Sequence, residues 1–159
     1  MKLSYAKGLS FGIASGIVTT LGLMVGLYSG THSKLAVLGG IVTIAIADAM
    51  SDAFGIHLSE ESEKRNNNIV VRETMLATFL TKFIFALTFA VPVLFFDLKT
   101  AVFIGILWGL LLITAISVMI ARLRKESSLM QIGEHVGIAL AVIIITYYLG
   151  IFVSRTFGA

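Results

Sequence analysis

The sequence predicts an all-α membrane protein, with five transmembrane helices in one domain covering residues 1–159. Three observations carry this expectation. Of the 159 residues, 57% are hydrophobic and 13% are charged, and the mean hydropathy is +0.97. Soluble domains carry about 25% charged residues. The apolar residues form continuous runs of about 20, the length of a bilayer-spanning helix, rather than the alternating ten-residue strands of a barrel. The connections between runs are too short to fold on their own.

Composition excludes several function classes. There is no cysteine and a single proline, so a disulfide scaffold, a cysteine metal site and a thiol nucleophile are ruled out. The net charge is +3. The basic residues fall in short loops between spans, so they report topology and not nucleic-acid binding. The chain has no phosphate-binding glycine loop and no zincin motif, and no nucleophile and base are visibly paired. An enzyme is therefore not expected.

The first span runs from about Gly8 to Gly30. Met1 to Lys7 resembles the basic start of a signal peptide, but the apolar run is too long and no cleavage site follows, so the span reads as retained. Gly8, Gly12, Ser15, Gly16, Thr19, Gly22, Gly26 and Gly30 fall within roughly 120° of one helix face at ~100° per residue. Small residues let another backbone approach closely. Singly, each glycine reads as ordinary packing. As a strip they read as a subunit interface or a pathway wall.

The second span runs from about Lys34 to Leu58 and carries two aspartates, Asp48 and Asp52, well inside an apolar segment. Ionisable groups inside a span are costly and mark function by default. Ser51, Gly55 and Ser59 share their arc. The helix continues into Glu60, Glu61 and Glu63, which read either as a solvated helix end, with Glu60 and Lys64 paired at i,i+4, or as a cation-capturing mouth. His57 lies off the aspartate arc. The polar loop to Arg72 turns at Asn66-Asn67-Asn68.

The third span, about Glu73 to Phe96, holds Lys82, and Pro92 predicts a kink or helix end. The fourth, about Thr100 to Ile120, holds Trp108 in mid-span, placed to pack on a neighbour, and Thr114 and Ser117 as interhelical hydrogen-bonders. The fifth runs from about Ile132 to Val153. Glu134 lies in its expected first turn, where the helix dipole favours an acid. Tyr147 and Tyr148 fit an aromatic belt. The five methionines after Met1 are scattered and read as filler.

Eight basic residues (Lys2, Lys7, Lys64, Arg65, Arg72, Arg122, Arg124, Lys125) lie on one side and three (Lys34, Lys99, Arg155) on the other. This places the N-terminus in the cytoplasm and the C-terminus outside. Measured from the cytoplasmic end of each span, Asp52 lies ~9 Å deep, Asp48 ~15 Å, Lys82 ~13 Å and Ser15 ~12 Å. Four polar groups from three helices thus share one layer. Lys82 is expected to meet Asp48 or Asp52. One ammonium and two carboxylates leave one negative charge per chain, and a twofold dimer could balance a divalent cation with two. The rival reading is a buried ion pair that fixes register, which leaves the second aspartate without a role.

Three stretches carry a resemblance. Gly12-Ile13-Ala14-Ser15-Gly16-Ile17-Val18-Thr19-Thr20-Leu21-Gly22-Leu23 resembles the first span of the vacuolar iron transporter family. Ala47-Asp48-Ala49-Met50-Ser51-Asp52-Ala53-Phe54-Gly55, with Leu58-Ser59 and Glu61-Ser62-Glu63, resembles its second. Ala121-Arg122-Leu123 through Gly133-Glu134, closing with Tyr148-Leu149-Gly150, resembles its fourth-to-fifth junction. The resemblance implies a five-helix protomer and a homodimer with the metal path between the two first helices. It also implies transport of ferrous iron or manganese out of the cytoplasm, coupled to protons. Three departures stand out: Ser15 replaces the family's usual aspartate, Asp52 its usual methionine, and the long acidic cytoplasmic domain is reduced to the loop before Arg72. Oxygen ligands in place of a thioether suit harder cations.

Together these readings predict a homodimeric divalent-metal transporter of the cell membrane. Asp48 and Asp52 would be the pathway carboxylates, Ser15 and Thr19 neutral wall ligands, Lys82 the counter-charge, and Glu60, Glu61, Glu63 and Glu134 the cytoplasmic mouth. The partners are a second copy, the lipid bilayer, divalent ions and protons, with no resident cofactor and no nucleic acid. Two alternatives stand beside it: a non-transporting interaction module with a structural Asp–Lys pair, and a proton-linked carrier of another small solute.

Overall fold

In a computed structural model, which describes residues 3–63, 68–125 and 127–158, the chain is helical throughout. The helices are α1 (Leu3–Thr31), α2 (Lys34–Ser62), α3 (Asn68–Thr88), α4 (Ala90–Phe95), α5 (Leu98–Arg124) and α6 (Ser128–Phe157). Five segments are long and apolar enough to cross a membrane, with α3 and α4 making one of them. Of the expected turn at Asn66-Asn67-Asn68, the first two residues lie outside the described residues and Asn68 already begins α3; Lys64, the expected partner of Glu60, also lies outside them.

The break between α3 and α4 has a local cause. Pro92 has no N–H to give the carbonyl of Thr88, and the Phe89 amide instead bonds Ala86 O at 3.2 Å. The interruption expected near Pro92 therefore falls one turn before the proline, at Phe89. At the connections, Ser33 caps α2 by accepting from the Ala36 amide, and Asp97 caps α5 by accepting from the Thr100 amide. Lys125 ends α5 in the left-handed conformation, with φ 56°.

α1 is the central helix and touches α2, α3, α5 and α6. Its small-residue strip is used inside the protomer. Gly8, Gly12 and Gly16 lie against Thr74, Thr78 and Lys82 of α3, and Gly22, Gly26 and Gly30 lie against Val142, Thr146 and Gly150 of α6. Ordinary packing thus accounts for most of the strip. On another side of α1, Leu21 and Met24 press into Gly109 and Gly105 of α5. The core forms there from Ile17, Leu21, Met24, Val25, Ile41, Phe89, Val93 and Ile113. Trp108 donates from Nε1 to Thr88 Oγ1 at 3.0 Å, the neighbour contact expected of it.

The outward faces are apolar, with Ile46, Phe54, Leu80, Phe103, Leu111 and Ile145 all exposed. In α6 only Ala139 is buried. Large exposed apolar area is ordinary where lipid is the solvent.

Candidate functional site: an ammonium clasped by two carboxylates

Lys82 is among the largest fully buried side chains of the described residues, at 1% exposure. Its position follows from packing between α1 and α3. A Cβ on Gly16 would meet Lys82 backbone and Cγ atoms at 3.1–3.2 Å, so the glycine lets α1 lie closer to α3 than a larger residue would without a shift of a few tenths of an ångström. The ammonium then reaches α2. Lys82 Nζ lies 2.5 Å from Asp48 Oδ2 and 2.5 Å from Asp52 Oδ2, and it donates to Ser15 Oγ at 2.9 Å. Ser15 Oγ in turn donates to Asp52 Oδ2 at 2.6 Å.

The four groups expected in one layer are thus brought together, from α1, α2 and α3. The two aspartates are held differently. Asp52 Oδ2 accepts from both Lys82 and Ser15. Asp48 Oδ2 is as close to the ammonium, but the contact does not have hydrogen-bond geometry, and among the described residues that oxygen accepts no hydrogen bond. We read the Asp48 contact as electrostatic and the Asp52 contact as electrostatic and directional. Both carboxylates keep an open side, at 28% and 21% exposure.

Other expected residues do not join this centre. Thr19 donates to the Ser15 carbonyl at 2.8 Å and makes no bond to a carboxylate. Glu60 is buried at 2% and pairs with Lys7 at 2.5 Å, and Glu63 meets the same ammonium at 3.3 Å. Two of the four acids expected to form an open mouth therefore clasp α2 to α1. Glu61 is exposed and stands 3.7 Å from His57 Nε2. Glu134 is also exposed. It lies beyond the first turn, because α6 begins at Ser128, one turn earlier than expected. Compensation of the helix dipole therefore does not explain it. His135 Nδ1 lies 2.9 Å from Ser117 Oγ and joins α6 to α5. Among the described residues, no three histidine or acidic side chains converge on a point that would hold a metal ion.

One feature of α2 is only half expected from the sequence. Gly39, Thr43, Ala47, Ser51, Gly55 and Ser59 recur every four residues, and all six are exposed. Gly39 and Gly55 have nothing within 4 Å of where a Cβ would be. This row of small residues is about 30 Å long, the thickness of a hydrocarbon core. Asp48 and Asp52 follow Ala47 and Ser51 directly, at its edge. The i,i+4 spacing was visible in the sequence. Ser51, Gly55 and Ser59 belong to the arc of the aspartates, and Gly39, Thr43 and Ala47 extend it along the helix.

No protein-family model matches the chain, and no curated protein sequence matches it.

Proposed function

We propose that this chain is a carrier for divalent cations that works as a homodimer, with Asp48 and Asp52 as the cation ligands and Lys82 as a tethered cation that holds their place. One observation carries the reading: a fully buried ammonium sits between two carboxylates that are themselves a quarter open. A dication and an ammonium cannot share one pair of carboxylates without strong repulsion at this spacing. Cation arrival must therefore move the ammonium or take its proton. Either event couples cation movement to Lys82, and the second exchanges it for a proton.

Asp48, Asp52 and Ser15 supply oxygen ligands, which suit manganese, ferrous iron or magnesium. The resemblance of α1 and α2 to the vacuolar iron transporter family supports ferrous iron or manganese as the cargo, efflux from the cytoplasm as the direction and the cell membrane as the location. A second copy covering the exposed small-residue row of α2 would bring a second pair of carboxylates near the first. It would also cover polar groups that lipid cannot satisfy.

Proteoliposomes loaded with a metal-sensitive dye test this. Manganese or ferrous iron influx is expected for the wild type and only empty-vesicle background for Asp52→Ala. A wild-type rate in Asp52→Ala removes the site assignment.

A second reading is favoured by the closed Lys82–Asp52–Ser15 triangle: the cluster is structural and no ion moves. It predicts that Asp52→Asn combined with Lys82→Met folds as well as the wild type, and that no metal flux exists in either protein.

A further inference from the structure

Where α1 and α6 finish, a cavity of about 280 Å³ opens between them, lined by Tyr28, Ser29 and His32 on one side and Tyr147, Ser154 and Arg155 on the other. These residues lie in or beside the last turns of two membrane-crossing segments, Ala6–Thr31 and Ser128–Phe157. The cavity therefore sits at the boundary between hydrocarbon and water, where lipid phosphates lie.

Its chemistry is one-sided. Arg155 offers five N–H donors and each tyrosine one O–H. No carboxylate lines the cavity. Among the described residues the Arg155 guanidinium has no ion-pair partner, and the hydroxyls of Tyr28 and Tyr147 make no hydrogen bond. The Ser29 hydroxyl is spent on the Gly26 carbonyl. Asp97, an acid at this same end, is engaged by the Thr100 amide. The carbonyls at the end of α6 explain one basic residue in its last turn. They do not explain two tyrosines, a histidine and a guanidinium around one open space.

We propose that this cavity binds the phosphate of a phospholipid headgroup, with Arg155 pairing to it in the two-pronged manner of guanidinium and phosphate and the Tyr28 and Tyr147 hydroxyls completing its shell. The site is separate from the Asp–Lys centre and does not depend on the transport reading.

Native mass spectrometry of the full chain in detergent tests the idea, with phosphatidylglycerol, phosphatidylcholine, diacylglycerol and inorganic phosphate each added in turn. Both phospholipids are expected to form a one-to-one adduct, and diacylglycerol, which has the tails without the phosphate, is not. Loss of the charged hydrogen bonds in Arg155→Gln should weaken the phospholipid adduct by about tenfold or more. Tyr147→Phe removes only a hydroxyl and should weaken it by a smaller factor, which provides a second arm should Arg155→Gln fail to fold. Equal binding of diacylglycerol, unchanged phospholipid binding in both variants, or binding of inorganic phosphate with no phospholipid adduct would each overturn the proposal.

Discussion

Lys82 donates to Asp52 Oδ2 across 2.5 Å, from a position on α3 that is 1% exposed to a carboxylate on α2 that is 21% exposed. One end of the pair is sealed and the other is open. The sealed end fixes the distance between the two helices. The open end leaves the carboxylate within reach of whatever occupies the space beside α2. This asymmetry separates the pair from a purely internal ion pair, in which both partners would be shut away.

Removing the sealed partner is expected to cost most. Lys82→Met leaves Asp48 and Asp52 facing one another without a counter-charge. Breaking one side of a buried pair costs about 3–5 kcal/mol. Thermal melting in detergent should show a large drop for Lys82→Met and partial recovery when Asp52→Asn is added. Equal melting of Lys82→Met and the wild type would mean that the ammonium contributes nothing to folding.

The two aspartates should not respond alike. Asp52 accepts from Lys82 and Ser15, whereas Asp48 Oδ2 accepts no hydrogen bond among the described residues. Hydrogen bonds to charged groups contribute about 1.5–3 kcal/mol each. Asp52→Asn should therefore lower stability more than Asp48→Asn, and Ser15→Ala should shift Asp52→Asn little, because the bond between them is already weakened. Melting curves of the three single variants and the Ser15→Ala/Asp52→Asn double variant decide the order. A larger loss in Asp48→Asn would reverse the assignment of which carboxylate is tied down.

The number of spans, the break near Pro92 and the meeting of Ser15, Asp48, Asp52 and Lys82 were legible in the sequence. Each depends on a local signal: a run of apolar residues, a missing N–H, and depth counted along a helix. The destination of the α1 strip was not legible. Periodicity shows that a face is small, but not which helix fills it, and α3 and α6 of the same chain do so. The partner that Glu60 finds in α1 was not legible either: tertiary packing brings Lys7, more than 50 positions away, to 2.5 Å, and helical spacing carries no signal for such a contact.

The approach of α1 to α3 is expected to be intolerant of size. A Cβ on Gly12 would stand 2.6 Å from the Thr78 carbonyl oxygen, a backbone atom that cannot swing aside. Gly12→Val should force the helices apart and carry Lys82 away from Ser15. Overpacking of this kind costs about 1–3 kcal/mol, occasionally more. A Cβ on Gly39 of α2 would meet nothing within 4 Å, so Gly39→Ala should not lower the melting of the isolated protomer. Parallel melting of the two variants tests the contrast, and equal losses would contradict the packing described.

At the end of the bundle where α1 begins, Lys7 holds two acids of α2. Its ammonium is 46% exposed, while Glu60 is 2% exposed. Solvent weakens the attraction on the lysine side, but the buried carboxylate suffers when its partner leaves. Lys7→Met is expected to destabilise by about 1–3 kcal/mol, more than an exposed pair would. Glu63→Gln, which removes only the exposed arm, should cost far less. Chemical denaturation of both variants measures the difference, and a larger loss in Glu63→Gln would show that the buried arm is not the stronger one.

Asp97 gives the protein one acid-sensitive joint outside the membrane-crossing segments. Its carboxylate accepts from the Thr100 amide at 3.0 Å, and that bond, with a smaller contribution from the nearby Lys34 charge, holds its pKa below the ordinary value of 3.8. A folded-state pKa below the unfolded one means that the capping contribution is fully present above the unfolded pKa. It is lost as pH falls through the folded value, in the window below 3.8. Asp97→Asn keeps an oxygen that can accept from the Thr100 amide but removes the titration. The wild type should therefore lose more stability than Asp97→Asn between pH 5 and pH 3, and the two should differ least at the acid end. Melting temperatures across that range decide it, since parallel curves would show that protonation of Asp97 does not loosen the start of α5.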